Sequence, residues 1–406
     1  MRTMTDIEWF WAWWRQGRQF GHDPANGTTR LAFDPEDVGW RRELAATWET
    51  MGFDVLLDGI GNVVGRVGAP PYVLVGSHTD TVPHAGDFDG VLGVLAGMVV
   101  ARRWHGEQAG LLLVDWSCEE SSRFGISTVG SRAATGALTE QQLSARDADG
   151  ISLRTAAANA FGYGSRPVFS IGQECIVAAL ELHIEQGREL VVSDVPVAVV
   201  SGIAAPQRWR LELQGEANHS GSTAMADRRD ALALAAEVVR RVEQQSWEWE
   251  SRGLRSTVAN LEVTPGVANV VPAVTRLLID VRAQSLSGLK TYRDDLQAFV
   301  DGAAQKRRMR WTWTTLSEEP PGELDARIRK HMADIVTRNG FQAITLPSWP
   351  SHDSLPLSRV VPTGMLFVRN TSGVSHHPGE MPRSADIAVG LDVFCQLAER
   401  VAREKI

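Results

Sequence analysis

The stretch 72–90 constrains the fold of this 406-residue chain most strongly, because a short apolar run ends in a loop dense with charge. The run Tyr72-Val-Leu-Val75 is typical of a buried strand. The loop after it is punctuated by glycine and proline and carries one histidine and three aspartates, His78, Asp80, Asp87 and Asp89. Functional groups of α/β proteins gather where strands give way to loops, so we expect a site at this strand end.

The spacing of His78 and Asp80 is suited to a metal ligand with a supporting carboxylate. Residues i and i+2 of a strand share a face, so the two side chains can point the same way. Asp89 follows one loop later, and a carboxylate has two oxygens with which it can bridge two metal ions. A His-x-Asp pair alone is more often a pair of ordinary polar loop residues, so the interpretation needs support from the rest of the chain.

Length and composition narrow the class of protein. The chain is too long for one ordinary core, which makes two domains the default. Its 41 basic and 49 acidic residues give a net charge of −8, which argues against nucleic acid or an anionic membrane as a partner. The longest apolar run, 91–101, is too short to span a bilayer. Three widely spaced cysteines and an N-terminus without a signal-peptide pattern predict a reducing cytoplasmic setting.

Two more strand candidates lead into charged residues. The apolar run 111–116 continues into Glu119 and Glu120, whose adjacent carboxylates repel each other unless a cation lies nearby. An isolated Glu-Glu pair is nevertheless more often a solvated acidic loop. The alternating stretch 177–187 places Glu181, His183 and Glu185 on one face. Such a face is hard to bury without a metal or dense hydrogen bonding.

The pattern changes near residue 207, where 209–215 alternates as an antiparallel strand with one wet face. Helices are predicted over 230–245 and 287–303, with Ser287 as the N-cap of the second, and strands over 254–263, 274–281 and 309–316. This strand-helix-strand-strand-helix-strand order predicts a small α+β domain inserted into a larger α/β domain. A helix from Glu323 is predicted to resume the larger domain.

Six short motifs occur in order along the chain. They are Gly76-Ser-His-Thr-Asp-Thr-Val-Pro83 with Phe88-Asp-Gly90, Glu119-Glu-Ser-Ser-Arg-Phe124, Glu181-Leu-His-Ile-Glu-Gln-Gly187, Gly215-Glu-Ala-Asn-His-Ser-Gly221, Asn269-Val-Val-Pro272 and Gly373-Val-Ser-His-His-Pro378. Together they resemble the two-metal exopeptidase superfamily, and specifically its branch of N-carbamoyl-L-amino-acid amidohydrolases, allantoate amidohydrolases and related ureido-acid hydrolases. The resemblance covers nearly the whole chain, from Gly27 to Glu380.

The resemblance implies a metal-dependent exopeptidase-like α/β catalytic domain, residues 1–206 and 321–406, with an inserted ferredoxin-like α+β lid and dimerisation domain, residues 207–320. It implies two divalent ions, one held by His78, Asp89 and His183 and the other by Asp89, Glu120 and His376. Nitrogen and oxygen donors without a thiolate suit Zn, Mn, Co or Ni. Asp80 would orient His78, and Glu119 would be the general base.

The resemblance further implies a homodimer that hydrolyses a small ureido or amide substrate with a free carboxylate. For an N-carbamoyl-L-amino acid, the products would be the amino acid, carbon dioxide and ammonia. His219 corresponds to the family's oxyanion-stabilising histidine, which reaches the site from the partner subunit. Arg282 and Asn269 correspond to the clamp for the substrate carboxylate, and a guanidinium fork suits that group. Three further positions correspond to residues near the substrate, namely Gln186, Gln207 and His352.

Three departures from the family pattern stand out. Trp349 and Pro350 replace a small, Gly/Ala-rich run, which would stiffen that loop and alter the substrate pocket. His84 stands where asparagine is usual. His377 follows His376 directly, and because neighbours in an extended segment face opposite ways, only one of them can coordinate; the pattern favours His376.

Two other functions remain open from the sequence. An N-acyl-amino-acid deacylase or a dipeptidase would use the same two metals. A non-catalytic binding homologue would have lost a ligand or the base, whereas all of those positions are occupied.

Overall fold

The computed structural model describes residues 4–106 and 108–404. In these residues the strands are β1 (His22–Asp23), β2 (Gly27–Thr28), β3 (Asp54–Leu57), β4 (Val63–Val67), β5 (Tyr72–His78), β6 (Gly110–Trp116), β7 (Ile176–Ile184), β8 (Val197–Ile203), β9 (Ala205–Gln214), β10 (Leu254–Thr264), β11 (Val274–Ala283), β12 (Arg310–Glu318), β13 (Gly322–Glu323), β14 (Thr345–Ser348) and β15 (Thr363–Val368). The helices are α1 (Asp6–Gly17), α2 (Pro35–Thr50), α3 (Val91–Arg103), α4 (Val129–Ala134), α5 (Glu140–Leu143), α6 (Leu153–Phe161), α7 (Glu189–Val192), α8 (Ala231–Glu250), α9 (Leu286–Lys306), α10 (Ala326–Arg338), α11 (Ser354–Leu357) and α12 (Ser384–Glu404). The chain divides into two compact units: one runs to Gly202 and resumes at Gly322, and the other is Ile203–Pro321.

The larger unit is built on a mixed sheet. Its strands lie in the order β13-β8-β15-β7-β5-β6-β4-β3, and β14 pairs with β8. Strand β5 pairs in parallel with β6 and β7, and β7 pairs in parallel with β15. The carboxyl ends of these four strands therefore meet at one edge of the sheet, where ligands of open α/β sheets bind. His78 ends β5 at that edge, and the acidic pair follows β6.

The central strands are buried because helices cover them. Every residue of β5 and β6 is buried, as continuous apolar runs in a parallel sheet should be. Helix α3 is buried from Val91 to Val100 and lies close to the sheet. At Gly93 an added Cβ would come within 2.4 Å of the Leu182 carbonyl oxygen, so only glycine permits this approach.

The smaller unit confirms the predicted α+β fold. Its sheet order, β10-β11-β9-β12, with α8 after the first strand and α9 after the third, is the ferredoxin-like arrangement. Alternate residues of β9 are buried, so one face packs into the core. That core joins sheet and helix side chains, including Trp209, Leu234 and Tyr292.

Two predicted helix starts were wrong. Helix α9 is capped by Ser285, whose hydroxyl accepts the Gly288 amide at 3.1 Å, and not by Ser287. Glu323 lies in β13, and α10 begins only at Ala326, where the carboxylate of Asp325 accepts the first amides. In both cases a nearby polar side chain caps the helix better than the residue we selected. In residues 4–106 and 108–404, no helix is long and apolar enough to cross a membrane.

Candidate metal centre

Three buried side chains converge at the carboxyl edge of the sheet. His183 Nε2 lies 3.0 Å and His78 Nε2 lies 3.8 Å from Asp89 Oδ1. The other ring nitrogen of each imidazole faces a backbone carbonyl. His78 Nδ1 lies 3.1 Å from the Asp80 carbonyl oxygen, and His183 Nδ1 lies 2.9 Å from the Ile184 carbonyl oxygen. If Nδ1 carries the proton and donates it there, Nε2 keeps its lone pair and can bind a cation.

A glycine makes room for these ligands. Gly90 has φ +68°, and a Cβ at this position would lie 2.5 Å from His78 Nε2. Its backbone amide points at His183 Nε2, at 3.2 Å. A larger residue would therefore occupy the space in front of the His78 imidazole.

Asp80 makes a different contact from the one expected. Its carboxylate lies 3.9 Å from His78 Nδ1, too far for a hydrogen bond. Instead, its two oxygens accept the backbone amides of Glu119 at 3.1 Å and Glu120 at 3.0 Å. The carboxylate of Asp80 thus holds the acidic turn, while its carbonyl holds the imidazole.

A second group shares Asp89 with the first. His376 Nε2 lies 3.2 Å from Asp89 Oδ2 and 3.1 Å from Glu120 Oε1, and the His376 side chain is 44% exposed. Gln186 Nε2 and Ser375 Oγ each donate to Asp89 Oδ2 at 2.9 Å. One oxygen of Asp89 therefore faces each group, as a bridging carboxylate requires.

The neighbouring histidine takes no part in this group. Exposed His377 accepts the Gly379 amide through Nδ1 at 3.0 Å, within its own turn. Its neighbour His376 has φ +56°, a left-handed backbone conformation that aims its ring at the carboxylates.

Glu119 is the acidic residue beside both groups. It is 5% exposed, and Glu119 Oε2 lies 3.8 Å from His78 Nε2. Burial, then the nearby carboxylates of Glu120 and Asp353, raise the pKa of Glu119 well above its usual range. Cys118, just before it, has φ +52°, so the turn that presents Glu119 carries a left-handed non-glycine residue.

The donor set fits two divalent cations. Among the described residues, the potential ligand atoms of His78, Asp89 and His183 lie within 4.8 Å of one another, as do those of Asp89, Glu120 and His376. All are nitrogen or oxygen atoms, which suit a borderline or hard divalent ion. The pKa of Glu120 is raised overall. Burial raises it most, the hydrogen bond to His376 lowers it, and the charge of Asp89 raises it. Cations between these carboxylates would remove that repulsion.

Glu380 is a part of the site that sequence reasoning missed. Its Oε1 accepts the amides of Phe88 at 3.0 Å and Asp89 at 2.9 Å, and its Oε2 accepts Ser375 Oγ at 3.1 Å. It joins the loop after β5 to the loop that carries His376. The signal available was its place at the end of the His-His-Pro-Gly-Glu segment.

His352 is 1% exposed and supports a ligand. Its ring packs edge-to-face on His183 with centroids 4.4 Å apart, and its Nε2 lies 2.8 Å from Ser348 Oγ. Burial lowers the pKa of His352 well below its usual range, which favours the neutral ring. The substrate contact predicted for His352 from the sequence would therefore have to be made by a buried ring.

The acidic residues flanking His183 make structural contacts. Glu181 accepts Ser77 Oγ at 2.8 Å and Ser354 Oγ at 2.6 Å, so both of its oxygens are occupied. Glu185 lies beyond the end of β7, where its carboxylate accepts the first amides of α7. The predicted common acidic face is therefore satisfied by hydrogen bonds at Glu181 and by helix capping at Glu185.

In the smaller unit, His219 lies exposed in the loop after β9. Its Nδ1 accepts the amides of Gly221 at 3.0 Å and Ser222 at 3.2 Å. The neutral ring must then carry its proton on Nε2, which is free to donate. The Asn269 carbonyl accepts the Ser220 amide at 3.0 Å, so the two loops lie side by side.

Arg282 lies at the other end of the same unit. It is near the end of β11, opposite Pro206, whereas the loop with Asn269 precedes the start of that strand. Arg282 lies eight residues after Val274 along this strand, roughly 26 Å at the usual rise. Arg282 Nε donates to Asp280 Oδ2 at 3.0 Å. One chain therefore does not bring Arg282 and Asn269 together.

Gln207 and the residues that depart from the family pattern, His84, Trp349 and Pro350, belong to neither of the two ligand groups. Gln207 is buried and donates to the Glu319 carbonyl at 2.6 Å. His84 is exposed, has φ +57° and belongs to none of the potential metal groups of the described residues. Trp349 and Pro350 are half-buried after β14.

Comparison with known proteins shows which family the chain is similar to. The profile of the family described as Peptidase family M20/M25/M40 matches residues 74–400. The chain is 35% identical to an N-carbamoyl-L-amino acid amidohydrolase of Geobacillus stearothermophilus, over 95% of this chain and 96% of that one. It is 32% identical to an allantoate amidohydrolase of Bacillus subtilis, over 98% and 97% of the two chains. A solved amidase of the hydantoinase/carbamoylase family from Burkholderia phymatum superposes with a TM-score of 0.87 at 29% identity, covering 100% of this chain and 99% of that one.

The chain therefore belongs to the Peptidase family M20/M25/M40. It is a hydrolase of carbon–nitrogen bonds, and the resemblance stated from its motifs is confirmed. The predicted architecture, a catalytic domain with an inserted smaller domain, is also confirmed.

Proposed function

We propose that this protein is a dinuclear metal-dependent amidohydrolase that cleaves the carbamoyl C–N bond of an N-carbamoyl-L-amino acid or a similar ureido acid. The products would be the amino acid, carbon dioxide and ammonia. The observation that carries the proposal is the pair of ligand groups joined by Asp89, with the buried carboxylate of Glu119 beside them. The names of the amidohydrolase relatives support the substrate class.

His78, Asp89 and His183 would hold one ion, and Asp89, Glu120 and His376 the other. When bound, the two ions supply Lewis-acid polarisation of the substrate carbonyl and a lower pKa for water. Glu119 takes the proton of the attacking water and passes it to the departing amine.

The smaller unit supplies recognition and charge stabilisation. His219 presents Nε2–H, a donor for the oxyanion that develops on the carbonyl during attack. Arg282 presents a guanidinium fork that can bind a carboxylate in two parallel hydrogen bonds. Asp280 holds Arg282 through Nε and leaves the Nη pair for the substrate.

A homodimer would account for the separate positions of these residues in the smaller unit. His219 and Asn269 occupy one end of the smaller unit and Arg282 the other, so one chain does not present all three to one substrate. In a dimer with two-fold symmetry, each substrate would meet Arg282 of one chain and the His219–Asn269 end of the other. We propose this arrangement, with residues 207–320 as lid and dimerisation domain.

The donor atoms suit Zn, Mn, Co or Ni, and we propose one of these as the native metal. The substrate would be a small molecule with a free carboxylate. We also propose a cytoplasmic location, because three widely spaced cysteines predict no disulfide framework.

A substrate panel tests the proposal. Metal-loaded protein is incubated with N-carbamoyl, N-formyl and N-acetyl amino acids, allantoate and dipeptides, and released amine is measured. We expect the carbamoyl or ureido compounds to be turned over fastest, complete loss of activity on chelation, and recovery with Zn, Mn, Co or Ni. Activity in rigorously metal-free protein would contradict the mechanism. Preference for acetyl compounds or dipeptides would favour the deacylase or dipeptidase instead.

A further inference from the structure

Beneath the acidic turn lies a buried arginine that no part of the proposed chemistry uses. Arg41 projects from α2 and is fully buried. Its Nε lies 2.8 Å from Asp37 Oδ1, one helical turn away, and its Nη1 lies 2.9 Å from Asp115 Oδ2. Its Nη2 lies 3.5 Å from Asp80 Oδ1. A guanidinium that faces three buried carboxylates is costly to place in a core, so its geometry needs an explanation.

The contacts of Arg41 lead to the residues that carry the reaction. The carboxylate of Asp80 accepts the consecutive amides of Glu119 and Glu120, one on each oxygen. Two adjacent amides held by one carboxylate fix the direction in which both side chains leave the backbone. Asp80 thus holds the acidic turn in place, and the guanidinium of Arg41 lies against the Asp80 carboxylate.

Arg41 also holds the strand that leads into the turn. Its Nη1 donates to the Asp115 carbonyl at 3.2 Å, and its Nη2 donates to the Trp116 carbonyl at 3.0 Å. These are the last two residues of β6, directly before the turn. One rigid, planar group therefore fixes both the end of the strand and the carboxylate that orients the turn.

We infer that Arg41 is a positioning residue, which through Asp80 sets the places of the general base Glu119 and the metal ligand Glu120. It does not touch substrate or reacting atoms. The inference rests on the proposed function, since it takes Glu119 as base and Glu120 as ligand. A misplacement of a catalytic group by about 1 Å can cost about 100-fold in rate, so loosening this support should be measurable.

The test replaces the fork by a single ammonium. Arg41→Lys keeps the charge but cannot contact Asp37, Asp80 and the strand end together. We expect kcat to fall on the order of 10- to 100-fold with KM unchanged. In Co²⁺ titrations followed by calorimetry, one of the two binding events should weaken by a similar factor, because Glu120 belongs to only one ligand group.

Arg369→Lys is the matched control. Arg369 is also buried and makes a bidentate pair with Asp386, at 2.9 Å for both contacts, and its other partner, Asp194, likewise lies outside the acidic turn. Its replacement should lower the melting temperature but leave kcat and both Co²⁺ events unchanged. Arg41→Lys with the same profile as this control would overturn the inference and make Arg41 a purely structural residue.

A double-mutant cycle distinguishes the loss of the contact between Arg41 and Asp80 from a general loss of stability. Asp80→Asn should weaken the same Co²⁺ event, and the double variant should be no worse than the poorer single variant, since both changes break one connection. Additive losses would contradict the inference. If Arg41→Lys does not fold, Asp115→Asn should weaken the same event by a smaller factor, and no change there would contradict it equally.

The two failures are distinguishable. If wild-type protein hydrolyses nothing in the substrate panel, the proposed function fails. The Co²⁺ titrations still decide whether Arg41 places Glu120, because they do not depend on turnover.

Discussion

The two units of the molecule hold their proposed functional residues in opposite ways. In the larger unit, Asp89 is 4% exposed, and its oxygens are surrounded by imidazoles and hydrogen-bond donors. In the smaller unit, His219 and Asn269 are exposed in loops, and the Arg282 side chain is 26% exposed. A buried, densely bonded cluster is pre-organised for ions and chemistry, whereas exposed groups are free to meet a substrate or another chain.

The largest expected effect lies within the buried cluster. Glu119→Gln should lower kcat by about 10²- to 10⁴-fold, because the amide cannot take up the proton of water. Metal content should stay at two ions per chain, since Glu119 belongs to neither ligand group. Glu120→Gln should instead lower metal occupancy, because Glu120 Oε1 is part of the group that includes His376.

Metal analysis of the two purified variants, alongside steady-state kinetics, decides between these roles. Normal metal content in the Glu120 variant together with depleted metal in the Glu119 variant would mean that base and ligand have been exchanged. Both residues stand in one turn held by Asp80, so the two substitutions should destabilise the fold to the same extent. Each variant therefore serves as the other's control for a general loss of structure.

A smaller effect is expected in the exposed region. Arg282→Lys should lower kcat/KM on the order of 10- to 100-fold, the worth of a charge-assisted hydrogen bond that a single ammonium does not replace. The loss should largely disappear on substrates whose carboxylate is amidated. Arg276→Lys, on the same strand and paired with Glu212 at 2.7 Å, should change nothing. An equal loss on charged and amidated substrates would show that Arg282 acts structurally.

The same contrast explains what the sequence could predict. Buried parallel strands are continuous apolar runs, so β5 and β6 were predictable, and the residues after them carried the recognisable motifs. The supports of the site were not predictable, because they act across long sequence separations. Glu380 bonds the Asp89 amide 291 residues away, and Arg41 faces Asp80 from another element. No local periodicity reports such a contact.

One relation was within reach of the sequence and was overlooked. The predicted strand over 274–281 already separated Asn269 from Arg282. A strand of that length extends for more than 20 Å, about 3.3 Å for each residue, so the two side chains lie far apart in one chain. Only the register of β11 with β9, which pairs Arg282 with Pro206, made the consequence plain.

The last prediction concerns the two separated ends of the smaller unit, and its expected change in activity is the smallest. We mix Glu119→Gln protein with His219→Ala protein, each expected to be inactive alone, under conditions that allow subunits to exchange. If His219 serves the partner's metals, a mixed dimer contains one site with both an intact base and an intact histidine, and one site with neither. Random exchange makes half of the dimers mixed, so activity should return to about a quarter of the wild-type value. Recovery is checked by kinetics after mass spectrometry has shown that exchange took place.

The matched control combines the Glu119 and His219 changes in one chain and mixes it with wild-type protein. If His219 acts across the interface, a mixed dimer then has two sites that each lack one group, so exchange should reduce activity below that of the unmixed sample. If His219 acts within its own chain, the wild-type subunit of each mixed dimer keeps a complete site and exchange changes nothing. The two mixtures therefore move in opposite directions under the dimer proposal. An absence of change in both, with exchange demonstrated, would place His219 in the site of its own chain or outside the chemistry.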